Sequence, residues 1–181
     1  RILSSAASDV YKRQIYDSLK LGVDSTAEGS VSLATLTAGY DFFKSAEDVD
    51  ISLILQGKAA GSGVKANLAK YIIDNICESR KDCVLFASPD KDDVVNNIGG
   101  ERDAIIAYRN ALTNTSYAML DSGYKYAYDK YNDVYRYVPL NGDMAGLAVR
   151  SDELRDAWYS PAGYNRGCLL YTSDAADDRM R

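Results

Sequence analysis

Three short apolar runs, each set apart from the next by a helix-length stretch, constrain this chain more than any other feature. They are "DISLILQ" (Asp50–Gln56), "CVLFAS" (Cys83–Ser88) and "SYAMLDS" (Ser116–Ser122). Runs of this length that are apolar on both faces read as strands of a parallel sheet. Between the first two, "VKANLAKYIIDNICESR" (Val64–Arg80) carries Leu68, Ile72 and Ile76 four apart, with Val64 leading, which makes an amphipathic helix. After the second, Ser88 reads as an N-cap, with Pro89 at the first helical position and acids in the first turn. That helix continues past Gly99-Gly100 through "ERDAIIAYRNAL" (Glu101–Leu112), and another, with Leu36, Tyr40 and Phe43 at helical spacing, occupies Thr35–Val49. The order strand–helix–strand–helix–strand predicts right-handed crossovers and a doubly wound, mostly parallel α/β sheet.

The rhythm breaks at "SGYKYAYDKYNDVYRYVPLNGDMAG" (Ser122–Gly146), where six of the fifteen tyrosines fall within fourteen residues. Tyr124, Tyr126 and Tyr128 alternate, so they share one face of a strand. Asp129–Asp133 is a polar turn carrying Tyr131, and Tyr135 and Tyr137 alternate on the return. The stretch therefore predicts an inserted, tyrosine-rich β-hairpin ended by Pro139, followed by a helix over Leu140–Leu154. These six tyrosines are the candidate packing or interface residues, since a tyrosine buries a large ring while its hydroxyl seeks a partner. The expectation is one row packed on the core and one row partly exposed.

The two ends are foreign to the rest. "SSAASDVYKRQ" (Ser4–Gln14) back-translates to a DNA whose reverse complement, read one base in, encodes "CLLYTSDAADD" (Cys168–Asp178). Residues 1–14 and 168–181 are therefore read as translated sequencing adapter, and the native part, a partial core domain, as 15–167. The flanks together carry one net positive charge, so what lies between them is more acidic than the −5 of the whole chain. That balance opposes phosphate-backbone binding, which needs Lys and Arg. No run is long and apolar enough to span a membrane. Cys77 and Cys83 fit no metal or redox spacing.

Chemistry-bearing motifs are few. The chain has no histidine, which removes the commonest general base and zinc ligand. The Gly57–Gly63 loop, "GKAAGSG", lies between a strand and a helix in phosphate-cradle order, but Lys58 precedes the glycines and neither nucleotide fingerprint is met. An α/β enzyme taking a nucleotide or sugar-phosphate there is the alternative reading, with Gln56, Ser88 and Ser122 at the strand ends as its only polar groups. The acids of "PDKDD" (Pro89–Asp93) lack the glycine and terminal glutamate of a calcium loop, and the helix dipole explains them. A stacking platform for single-stranded nucleic acid needs a cationic groove. Here Lys125, Lys130 and Arg136 are offset by Asp121, Asp129 and Asp133.

"YDKYND", then an arginine, "VPL", "GD" and "AGL", then a tryptophan and "SPAGYNRG", form a long and specific series. Together with "EDVDISLILQG" and "NTSYAMLDS" it resembles the tail sheath proteins of T-even-like contractile-tailed bacteriophages, over essentially all of Ile15–Gly167 and none of the flanks. The resemblance implies a structural subunit of the virion, without catalytic residues, metal or cofactor. It would be assembled in the host cytoplasm with other sheath subunits, as stacked six-fold rings around the tail tube protein. Contraction would drive the tube through the host envelope and deliver the genome. The resemblance also implies a subtilisin-like core, in fold alone because no serine-protease triad exists without histidine. The sheath's outer domains and terminal arms would lie wholly or largely outside Ile15–Gly167.

Overall fold

The computed structural model describes residues 30–163 apart from 60 and 157, so the two adapter-like flanks and the loop-and-edge-strand expected over 15–32 fall almost wholly outside the described residues. The elements run α1 (Leu33–Asp41), β1 (Leu53–Leu55), α2 (Ser62–Ile72), a π-helical turn (Ile73–Cys77), α3 (Glu78–Arg80), β2 (Val84–Ala87), α4 (Lys91–Val94), α5 (Glu101–Ala111), β3 (Ala118–Leu120), β4 (Tyr124–Asp129), β5 (Val134–Pro139) and α6 (Asn141–Leu154).

The first three strands form one parallel sheet in the order β1-β2-β3, and β4 and β5 form a separate antiparallel pair. Register sets Ile54, Leu85 and Ala118 side by side on one face, and Leu55, Phe86 and Met119 on the other. The first face holds the core. Ile54, Leu85 and Ala87 pack there against Leu68, Ala69, Ile72, Ile73, Ile76 and Cys77, with Ala118 and Leu120 at the margin. The four-residue spacing of Leu68, Ile72 and Ile76 therefore marks the buried stripe, and the π turn widens it. One extra residue in that turn brings Ile73 and Cys77 onto the same side. Each fully buried aliphatic side chain here contributes about 1.5–3 kcal/mol.

Among the described residues β2 alone is covered on both faces. Phe86 is buried while its neighbours Leu55 and Met119 are 48% and 41% exposed, because β1 and β3 are the outer strands of the described sheet and Phe86 lies between them, with α6 packed nearby. The sequence expectation of doubly covered strands thus holds for one strand of three. The strands also follow in sequence order, so among the described residues the sheet has no reversal of the kind that makes a switch-point crevice.

A second departure concerns Ser88. The cap of the short helix α4 is Asp90, and Pro89 precedes it instead of opening it. The Ser88 hydroxyl donates to the Asp121 carboxylate across the sheet, an interaction that the local sequence could not display. On the amino-terminal side, Arg80 fastens the turn after α1. Its guanidinium donates to the carbonyls of Phe43, Ser45 and Val49 and pairs with Asp82 at 2.8 Å.

Candidate functional site

Polar groups at the carboxyl ends of β1, β2 and β3 converge on one buried node. Gln56, just past β1, is 4% exposed, and its amide donates to the Lys65 carbonyl at 2.6 Å. Its side-chain oxygen accepts from the Tyr108 hydroxyl at 2.9 Å, and its own carbonyl accepts from Asn141 at 2.9 Å. Lys65, 6% exposed, donates to the Pro89 carbonyl at 3.0 Å and contacts the Tyr124 hydroxyl at 3.5 Å. Tyr124 donates to the same Pro89 carbonyl at 2.8 Å. Three strand ends, α2, α5, β4 and α6 are thereby tied together. No buried side-chain nitrogen or oxygen among the described residues lacks a partner.

Burial governs the titration of this node. It lowers the Lys65 pKa, against the raising pull of Asp90, Asp121 and Asp93. It raises the Asp121 carboxyl above the usual range, against the lowering effects of the Ser88 hydroxyl and the Gly123 N–H. It pushes Tyr108 up to about 12 and raises Tyr124 further. Perturbed groups of this kind also mark active sites. Here each one is bonded inward, which is the pattern of a structural joint.

The hairpin rises from this joint. Tyr124 anchors it, Lys125 pairs with Asp143 of α6 at 2.7 Å, and the Leu140 amide donates to the Gly123 carbonyl at 3.3 Å. Directly opposed pairs, Tyr126 with Tyr137 and Tyr128 with Tyr135, must share a face, so both tyrosine rows lie together. The expected split between a core row and an exposed row does not occur. Tyr126 and Tyr135 stack at 5.1 Å, Tyr126 and Tyr137 approach to 4.7 Å, and Tyr128 and Tyr135 to 5.0 Å. These four rings remain 43–60% exposed, and Tyr131 at the tip is 97% exposed. One pair is stacked and two are tilted, and the Tyr128 hydroxyl is held by Asp133, so none of the four rings stands apart as a platform for a base. Arg136 pairs with Asp129 at 3.2 Å, so the hairpin offers no cationic groove either.

The Gly57–Gly63 loop fares no better as a phosphate cradle. Lys58 points outward as an exposed residue, and the buried lysine of this region, Lys65, is already committed to Pro89 and Tyr124. Among the described residues no group of three or more Cys, Asp or Glu is placed to hold a metal. No described helix is long and apolar enough to cross a membrane.

No family model matches the chain. It is 38% identical to the tail sheath protein of Enterobacteria phage T4 over 161 residues, which covers 82% of this chain and 24% of that protein. The residues belong to the tail sheath family. A tail sheath protein of Vibrio phage KVP40 is likewise 38% identical, over 79% of this chain and 24% of the relative. That of Salmonella phage ViI is 43% identical over 51% of this chain and 15% of the relative. The chain thus spans about a quarter of the length of the first two sheath proteins it matches. None of these relatives supports the enzyme alternative at the Gly57–Gly63 loop.

The joint of this sheath chain went largely unseen in the sequence. Gln56 and Ser88 stood out as polar strand ends, but Asp121, not Ser122, completes the set. Lys65, Tyr108 and Asn141 gave no local signal. Each is an ordinary residue on an ordinary helix, and only the topology brings them together.

Proposed function

We propose that this chain is part of a structural subunit of a contractile phage tail, which polymerises around the tail tube and contracts to drive it through the host envelope. The observation that carries this reading is the 38% identity to the T4 tail sheath protein over 82% of the chain. In this reading the three-stranded sheet is one portion of a doubly wound, subtilisin-like core, which the rest of the parent's length completes. The subunit needs no cofactor and performs no catalysis, because contraction is a rearrangement between two packings of a lattice. Its partners are neighbouring sheath subunits and the tube. The exposed tyrosines 126, 128, 131, 135 and 137 serve as contact surface, with Tyr124 fixing them to the core.

The test is a transplant. The matching quarter of the T4 tail sheath protein is replaced by the aligned residues of this chain, and tails are imaged by electron microscopy. Contractile tails of normal appearance are expected. A chimera that folds and stays soluble but builds no sheath overturns the reading.

A further inference from the structure

The tyrosine face is bracketed by opposite charges. At its root, the Lys91 ammonium sits 5.6 Å from the centre of the Tyr137 ring. At its tip, the Asp133 carboxylate accepts the Tyr128 hydroxyl. From root to tip the face therefore runs cation, four rings in mutual contact, carboxylate. A two-fold axis through the middle of the ladder sets each end of this pattern against its complement. Lys91 of one copy then faces Asp133 of the other, twice over, with rings on rings between them.

We infer that the free chain pairs with a second copy through this face, antiparallel, ladder on ladder, with Lys91 of each copy opposite Asp133 of the other. The tip is ordered in advance, since Asp129 accepts from the Tyr131 amide at 3.1 Å and from the Asn132 side chain at 2.7 Å. Little ordering is left to be done on contact. The four rings, each about half exposed, supply about 400 Å² of ring surface per copy. The pair then buries roughly 800 Å², short of the roughly 1,200 Å² of stable complexes, so it is weak and exchanges quickly. The rim charges set orientation more than strength.

A tail whose subunits follow one another along a single direction is built from head-to-tail contacts, and a two-fold pair has no place in it. The pair belongs to the unassembled subunit and keeps the aromatic face closed until a growing tail competes for it. This consequence rests on the sheath reading, whereas the pairing itself does not.

Sedimentation velocity on the full chain over a concentration series tests the pairing. Growth of a two-chain species that stops at two is expected. Lys91→Glu and Asp133→Lys should each weaken it by about tenfold, because each variant sets like charges at both rims. An equimolar mixture of the two variants should recover the original association, since each then supplies the charge that the other needs. Tyr126→Ser with Tyr135→Ser should abolish pairing while circular dichroism stays unchanged. A monomer at all concentrations, species growing beyond two, charge variants without effect, or a mixture that fails to recover would each overturn the proposal. None of these results bears on the transplant, so the two readings fail separately.

Discussion

In the parallel sheet and in the tyrosine hairpin alike side chains alternate between two faces, yet the central strand β2 is buried on both and the tyrosine face is largely bare. In β2 both faces are covered because α2 and the π turn lie on one side and α6 on the other. In β4 and β5 the rings of Tyr126, Tyr128, Tyr135 and Tyr137 pack on one another and stay 43–60% exposed, and Val134 and Val138 behind them are 40% and 38% exposed. Alternation dictates which side chains share a face, and only a neighbouring element decides whether that face becomes a core. Between the two regions sits the polar joint, which belongs to both.

The largest expected effect is in the sheet. Leu85→Ala, at a position with no exposure, should lose about 2–5 kcal/mol in urea melts, as buried leucine truncations do. A loss no greater than that of a hairpin substitution would break the contrast between the regions. Gln56→Leu comes next. It leaves the Tyr108 hydroxyl and the Lys65 carbonyl without their buried partner, so about 1–3 kcal/mol should be lost.

Tyr124→Phe keeps the ring and removes the hydroxyl bonded to Pro89. About 1 kcal/mol should go, and amide exchange should quicken in β4 and β5 before it does in β2. Equal quickening in both regions would mean that the joint is not where the hairpin is held. Asp121 sharpens the same point through pH. Its folded pKa lies above the unfolded value of 3.8. The folded chain therefore holds the extra proton in that interval, and stability falls as pH rises through the folded pKa. Asp121→Asn should flatten this fall in melts run across a pH series, though not wholly, because burial raises Asp93 in the same direction. The smallest effect is outermost: Tyr131→Ala should change stability by less than about 0.5 kcal/mol.

Element type was legible in the sequence where a stripe had a period, although the helix expected over Thr35–Val49 ends at Asp41. Leu68, Ile72 and Ile76 marked the core helix, and Tyr124 to Tyr137 marked a hairpin. What stayed hidden depended on partners distant in the chain. Ser88 looks like a helix cap until Asp121 is placed beside it. Leu55 and Met119 look buried until their strands prove to be the outer ones of the described sheet. The facing of the two tyrosine rows follows from a register that alternation along each strand does not state.

Strand pairing also sets the order in which the chain can close. Leu53 meets Val84 and Leu85 meets Ala118, each across a long crossover, whereas Tyr128 meets Tyr135 across one tight turn. Hairpins close in roughly 1–10 μs, while parallel pairings wait on the entropy of long loops. Of the five described strands, the two later in the chain are thus the first to find each other, and the hairpin exists as a ribbon before it has a base to stand on. Contact of Tyr124 with Pro89 and Lys65 joins two parts already formed, so it comes late. Stopped-flow traces of Tyr124→Phe should then show faster unfolding with an unchanged folding rate.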